Sequence, residues 1–432
     1  MIRLPPRVAK LMTSVPFRLL VAGLIVGYHV YATISFARAR FGLPFDNAPT
    51  APPVFTDPLH DTNPVSDRRL VVSRWDSGQY IDLALRGYTA CAKHPGRLTD
   101  AELADQRTCR LSFYPGYSML GRAVRAITRW PIDYSLWAVS LLASFLLLFL
   151  WTDAAITKVM GVGATYASLL AFGLFGTSCY LVFIMSEPCT LLFTMASLVA
   201  FARGKHTLSA LAAGAASAMR ISGGAASMSF ALAIIVLTLR DRPRNGWVWA
   251  WRALLIPLSA WGALAIAGYQ WSRFGDANLY VHAHAAAYGH HGGIAALTNL
   301  KAEWLIHSMD GPAHDTVWGM GLVLWFLLGH RLALRRFPGA MQTFCYALVI
   351  TTLGISVFGT IDLYLTGLSR YALVAIPLFF AIGAFLKDRP VVLGLWLALC
   401  VWHSHQVDLC YYLGDVGQPG LKACHMTQWL DW

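Results

Sequence analysis

Charge is what this sequence has least of. Only 13% of its 432 residues are Asp, Glu, Lys or Arg, while 56% are hydrophobic. Soluble domains carry roughly 25% charged residues, so an ordinary solvated surface cannot be built from this chain. Other absences narrow the chemistry. No Walker loop, dinucleotide fingerprint or G-x-S-x-G elbow occurs, which removes the usual sequence supports for nucleotide binding and serine hydrolysis. The eight cysteines form no C-x-x-C pair, so a zinc cage is not expected. A cleavable signal sequence is also missing. "MIRLPPRVAKLMTSVPFRLLVAGLIVGYHVYATISFA" starts basic but runs long and lacks a small-residue cleavage site, so it is expected to stay as a first helix.

What is present in abundance is apolar sequence in runs near bilayer length. Mean hydropathy is +0.52. Eleven spans are expected, at roughly 15–36, 133–152, 162–183, 187–202, 207–220, 222–239, 250–272, 313–329, 341–360, 370–386 and 391–409. The fifth is short and rich in Ala and Gly, so it must be buried by neighbours or broken near Arg220. The expected class is an all-α polytopic membrane protein forming one transmembrane domain. The net charge of +12 does not argue for nucleic acid, because the basic residues sit in short clusters between apolar runs. Arg3, Arg7 and Lys10 precede the first span. Lys158, the pair Arg203 and Lys205, then Arg240, Arg242 and Arg244, then Arg331, Arg335 and Arg336, and finally Lys387 and Arg389 follow alternate spans. All six clusters share one side if the N-terminus is cytoplasmic. The opposite, outer side then carries loop 37–132, loop 273–312 and the tail 410–432. The expected location is a bacterial inner membrane with a periplasmic site, or an ER membrane with a lumenal one. Cys91 and Cys109 share the first outer loop, and Cys410 and Cys424 share the tail. Two local disulfides are expected if that side is oxidising; four free thiols are the alternative.

Several short stretches carry polar chemistry. "SRWDSGQYIDLALRGY" follows the first span. Ser73 and Asp76 have capping-box spacing, and Gly87 is suited to end the helix. Trp75, Tyr80 and Tyr88 suit a helix lying on the bilayer surface. One reading is that capped interfacial helix; the other is the edge of an active site, with Arg74 and Trp75 holding the Asp76 carboxylate. Asp82 is expected to be a solvated charge, roughly 120° round the helix from Asp76. In "LSFYPGYSMLGRAVRAI", Pro115 can open a second interfacial helix, Arg122 and Arg125 can meet headgroups, and Phe113, Tyr114 and Tyr117 can line a groove. "SEPCTLLF" places Glu187 in a first helical turn after Ser186, either as a plain helix start or as an acid facing the outer cavity. "AMRISGG" sets Arg220 between two apolar spans, where a charge needs a partner or a cavity. "GLSRYALVAIPLF" sets Arg370 and Tyr371 at the outer start of a span. Arg370 reads as a snorkelling arginine or as a fork for phosphate oxygens. The histidines His282, His284, His290 and His291 lie in an Ala/Gly-rich stretch with no acid at firm ligand spacing. A loop or short helix is expected there rather than a metal site. A divalent metal is not indicated, and its requirement stays open.

Taken in order, "RWDSGQY…ALRGY", "FYPGYSML", "SEP", "AMRISG", "FGDANLYVHAH" and "LSRYALVAIPLF" resemble the PIG-V-type mannosyltransferases. These are the GPI second-mannose transferases and their bacterial relatives, within the GT-C superfamily of membrane glycosyltransferases. The resemblance runs from about Val72 to about Ala384. It implies a GT-C-type fold with interfacial helices in the first outer loop. It also implies transfer of a sugar from a polyprenyl-phosphate donor to a lipid-linked or glycan acceptor, with Asp76 as the catalytic carboxylate. One departure is Gln79, where the family often carries an aromatic, so the choice of sugar or acceptor can differ. The chemistry fits the residues. One carboxylate can take the acceptor proton, and Arg370 with Arg220 can offset charge on the departing phosphate. Arg74, Trp75, Gln79, Tyr80, Tyr114, Tyr117, Glu187 and Tyr371 are the expected cavity residues. Two other classes remain as alternatives: a transporter or flippase of a lipid-linked sugar, which should show broken helices in matched halves, and a non-catalytic subunit of a glycan assembly complex.

Overall fold

A computed structural model describes residues 5–41, 72–73, 76–88, 98, 110–288, 315–358 and 368–413. Every regular element among them is helical, as expected where backbone groups must bond within their own segment. In chain order the principal helices are α1 (Val15–Phe41), α2 (Asp76–Arg86), α3 (Gly116–Thr128), α4 (Ile132–Trp151), α5 (Val162–Gly173), α6 (Glu187–Ala202), α7 (His206–Met219) and α8 (Gly224–Asp241). They continue as α9 (Gly246–Leu258), α10 (Trp261–Phe274), α11 (Leu279–Tyr288), α12 (Asp315–Leu334), α13 (Gly339–Phe358), α14 (Leu368–Ala372), α15 (Pro377–Leu386) and α16 (Pro390–Leu413).

Five of the described helices are long and apolar enough to cross a membrane, and up to seven if each of two bent pairs counts as one span. The bent pairs are Ala154–Met160 with α5, at 111°, and α9 with α10, at 58°. Helices α6 and α15 and the Gly339–Ile355 part of α13 are apolar but only 10–17 residues long, below the ~20 that a bilayer core asks for. Two expected spans are shortened because their helices break, and the fifth expected span ends in a break at Arg220. The stretch expected at 162–183 is α-helical only to Gly173 and continues as a 3₁₀ turn over Gly176–Leu181. Helix α7 stops at Met219, Arg220 is extended (φ −162°, ψ 157°), and α8 starts at Gly224 after another 3₁₀ turn. The stretch expected at 370–386 opens as α14 and restarts at Pro377, a residue with no N–H to lose in a first turn. Side chains re-satisfy backbone freed at these breaks. The Thr177 hydroxyl donates to the Ser369 carbonyl at 3.2 Å and the Ser178 hydroxyl to the Phe172 carbonyl at 2.5 Å.

Two ends of the bundle can be told apart. At one end Arg18 donates to Thr152 Oγ1 and to the Phe149 carbonyl, both at 2.9 Å, and Arg203 grips Asp153 with Nε and Nη2. These contacts gather the start of α1, the end of α4 and the end of α6, the side expected to carry the basic clusters. The three helix breaks lie at the other ends of their stretches. Between the ends, α6 packs on α7, α8 on α13, and α12 on α15. A buried aromatic cluster fills the middle, with Trp151 stacked on Phe172 at 4.4 Å and Phe172 edge-on to Phe379 at 5.1 Å.

One glycine ties the start of α3 to the broken end of α7. A methyl group at Gly116 would fall inside the contact shell of the Ala218 carbonyl oxygen. Backbone cannot yield as a flexible side chain can, so Gly116→Ala is expected to cost about 1–3 kcal/mol of stability. Thermal unfolding followed by tryptophan fluorescence measures this. An unchanged midpoint would show that α3 can slide on α7.

Candidate functional site

Of the two readings of this stretch, helix α2 departs from the capped surface helix. Residues Ser77–Ala84 are all buried, so α2 is packed into the protein and does not lie on its surface. It starts at Asp76, so the Asp76 carboxylate occupies the first turn, at the positive end of the helix dipole. Ser73 stands ahead of the helix with its hydroxyl buried and without a hydrogen-bond partner, so the expected capping box does not form. Gly87 ends the helix in the left-handed conformation, φ 62°, with its N–H bonded to the Leu83 carbonyl at 2.9 Å. Asp82 is not solvated. It is buried, 2.5 Å from Arg110 Nη2 and 3.4 Å from Arg86 Nη2. Sequence spacing shows Arg86 one turn away on the same helix, but Arg110 arrives from a separate segment.

The charged residues singled out by sequence converge where the helices break. Arg370 Nη2 lies 3.0 Å from Asp76 Oδ2, and Arg370 Nε donates to Glu187 Oε1. Arg220 Nη1 donates to that same Oε1 at 2.6 Å. The result is a chain of alternating charge, Asp76–Arg370–Glu187–Arg220, whose four formal charges cancel. Tyr371 accepts from Arg220 Nη2 at 3.4 Å, and the two guanidiniums lie over aromatic rings, Arg220 over Tyr371 and Arg370 over Tyr180. The two acids have different surroundings. Glu187 is 3% exposed and bound by both arginines, whereas Asp76 is 32% exposed and bound by one. Only Asp76 combines a fixed position with an accessible oxygen.

A cavity of about 180 Å³ opens on this chain. Asp76, Arg220, Arg370 and Tyr371 form its polar wall, and Phe113, Met219 and Ile221 its apolar one. Tyr80, Ser112, Tyr114 and Tyr280 complete the lining. Tyr80 shares a 2.6 Å hydrogen bond with Ser186, the residue at the N-cap of α6. The Ser186 hydroxyl is thus spent on α2 and not on capping. Tyr114 meets Tyr280 edge-on at 4.6 Å. Burial pushes the Tyr114 hydroxyl up to about 12, and raises those of Tyr80 and Tyr280 as well. All three stay protonated at neutral pH.

The expected cavity residues divide into groups. Asp76, Tyr80, Tyr114, Arg220, Arg370 and Tyr371 face the cavity, and Glu187 sits behind them as the shared counterion. Tyr117 and Gln79 do not face it. Tyr117 is fully buried and donates to the Leu136 carbonyl at 2.9 Å, and Gln79 is buried on α2 outside the lining. Their apolar surroundings explain the difference: α2 and α3 bury each other, so only some of their polar residues reach the opening. Arg74, Trp75, Cys91, Cys109 and Cys424, and the side chain of Cys410, lie outside the described residues, as do His290, His291 and the side chain of His284. His282 pairs with Asp276 at 2.6 Å on the short helix α11. Among the described residues, no three His, Cys, Asp or Glu side chains group as metal ligands. Met219, Tyr280, Ser112 and Ile221 are cavity residues that the sequence does not single out. Tyr280 sits inside "FGDANLYVHAH", where the histidines are the stronger chemical signal; Met219, Ser112 and Ile221 carry no sequence signal of their own. No protein-family model, no characterised protein and no solved structure matches the chain.

Proposed function

We propose that this protein is an inverting membrane glycosyltransferase that moves a sugar, by expectation mannose, from a polyprenyl-phosphate donor to a hydroxyl of a lipid-linked or glycan acceptor on the outer face. This reading also takes the bundle to be of GT-C type with about eleven crossings. The observation that carries it is one accessible carboxylate, Asp76, paired with Arg370 and lining the same cavity as Arg220. In the proposed step the acceptor oxygen attacks the anomeric carbon, and the bond from that carbon to the phosphate oxygen breaks. The electron pair leaves on the polyprenyl phosphate, and the acceptor proton passes to Asp76. The donor phosphate gains one negative charge as it leaves. Arg370 and Arg220 are fixed beforehand by Glu187, so they can offset that charge without reorganising. Tyr371 and Tyr280 supply hydroxyls and ring faces suited to a sugar. One displacement without a covalent intermediate inverts the anomeric centre.

The helix breaks lend some support to the second reading, a transporter of a lipid-linked sugar, because unwound segments at charged sites are common there. One preparation separates the two. Purified protein in nanodiscs is given a radiolabelled polyprenyl-phosphate hexose and a panel of glycan acceptors, and products are identified by mass. The same protein in sealed vesicles is assayed for donor translocation. The proposal expects a new glycosidic bond of inverted configuration, with release of polyprenyl phosphate. Translocation without any such bond from any donor would replace it with the transporter, and the absence of both activities would leave a structural subunit.

A further inference from the structure

A second opening lies on the far side of the bundle from the candidate site. Helices α8 and α9 form a hairpin, and between them runs a furrow of about 110 Å³. Ile234, Ile235 and Leu239 wall it from α8, and Trp249, Ala253 and Ile256 from α9. The Trp249 ring is held in place by a 2.9 Å hydrogen bond from Nε1 to the Pro243 carbonyl. Into this apolar furrow comes one charge, Arg252. It stands six residues into α9, about 9 Å along the axis. The helix around it carries exposed apolar side chains: Leu254 is 59% exposed and Trp247 73%.

A charge so placed needs acceptors. Arg252 has one carboxylate, Asp241, 2.8 Å from its Nη2. Its Nη1 is buried and has no hydrogen-bond partner. The other furrow walls offer it hydrocarbon and the single hydroxyl of Thr238, which donates to the Ile234 carbonyl and makes no bond to Arg252 Nη1. Side chains on a helix lean toward its N-terminus, so Arg252 leans toward the α8–α9 turn. There Arg240, Arg242 and Arg244 add three positive charges against the single Asp241. Trp247, Trp249 and Trp251 follow at once, the residue type that settles at the headgroup level. An apolar furrow, a guanidinium short of one acceptor and a basic rim together match one ligand: an acyl chain joined to a phosphate.

We propose that the α8–α9 furrow is a binding site for an anionic glycerophospholipid of the adjoining leaflet, with its phosphate on Arg252 and one acyl chain between the helices. The site does not depend on the proposed transferase activity. It differs from the general attraction of a basic surface for anionic lipid because it needs a specific arginine and an open furrow.

The test uses the purified full-length protein, delipidated in detergent and titrated with palmitoyl-oleoyl phosphatidylglycerol or with its phosphatidylcholine counterpart, with bound lipid counted by native mass spectrometry. Wild type should retain phosphatidylglycerol preferentially. Arg252→Gln removes the fork and should weaken retention by about ten-fold or more. Ala253→Trp leaves every charge in place but fills the furrow, and should weaken it comparably. Arg244→Gln removes the same charge from the exposed rim and should change little. Thermal unfolding in the same detergent checks that each variant is folded. Equal losses in Arg252→Gln and Arg244→Gln, undiminished binding in Ala253→Trp, or equal retention of the two lipids would each overturn the site.

Discussion

Asp76→Asn is expected to lower sugar transfer by roughly 10²–10⁴-fold, the usual share of a general base, while the protein stays folded and still binds donor. Asparagine keeps the shape of the side chain and can still accept from Arg370, but it cannot take the acceptor proton. The stability cost should be no more than about 1 kcal/mol, because the Asp76–Arg370 pair is partly open to solvent. Two controls bracket this result. Ser73→Ala removes a buried hydroxyl that has no partner, so it should spare both stability and turnover. Arg370→Lys keeps the positive charge but loses the fork that reaches Asp76 and Glu187 together, so it should also slow transfer. Asp82→Asn, which sequence alone recommends as a benign control, is not one, because it breaks a buried pair with Arg110. A donor-saturated assay beside a binding measurement reads these outcomes. Near-normal turnover in Asp76→Asn would make α2 a positioning helix only and end the case for its carboxylate as the base.

The charged centre was legible in the sequence because charge is so scarce. In a chain that buries apolar surface almost everywhere, Asp76, Glu187, Arg220 and Arg370 stand out as groups that must find partners, and they find one another. The helical class and the basic end were legible for the same reason, from apolar run length and cluster spacing. What spacing could not give was direction. Asp82 and Asp76 share one helix, yet one turns inward to Arg110 and the other toward the cavity, and only the packing of segments far apart in sequence decides between them. Tyr117 and Tyr114 are separated by one turn at most and divide in the same way: Tyr117 is drawn into contact with α4, and Tyr114 is left at the opening. The broken helices were half legible. The break at Arg220 follows from a charge between two apolar spans with Ser222, Gly223 and Gly224 close behind it, but the 3₁₀ turn over Gly176–Leu181 lies in an apolar stretch whose hydropathy suggests an unbroken span. Its cause is tertiary, since Thr177 reaches the Ser369 carbonyl 192 residues away.

Glu187→Gln should have the opposite signature to Asp76→Asn. Glu187 is almost fully buried, and its Oε1 accepts from Arg370 and from Arg220 at once. Neutralising it leaves two buried guanidiniums with one carboxylate to offset them, the partly exposed Asp76, which touches Arg370 and not Arg220. Removing one partner of a buried ion pair costs about 3–5 kcal/mol, because the partner's charge remains out of water. A bridging acid should sit at the upper end of that range. Glu187→Asp keeps the charge but is one methylene shorter, so it should hold one arginine and release the other, with an intermediate loss. Thermal or denaturant unfolding of the three variants in one detergent separates the roles: a large loss for Glu187→Gln, a smaller one for Glu187→Asp, and little for Asp76→Asn. Transfer in Glu187→Gln, measured below its lowered unfolding temperature, should fall less steeply than in Asp76→Asn, because the carboxylate that meets the acceptor is still there. If instead Glu187→Gln is as stable as wild type and transfers nothing, Glu187 is the base and Asp76 is a partner to Arg370. The one carboxylate that two arginines bind would then have to shed at least one of them as the acceptor arrives.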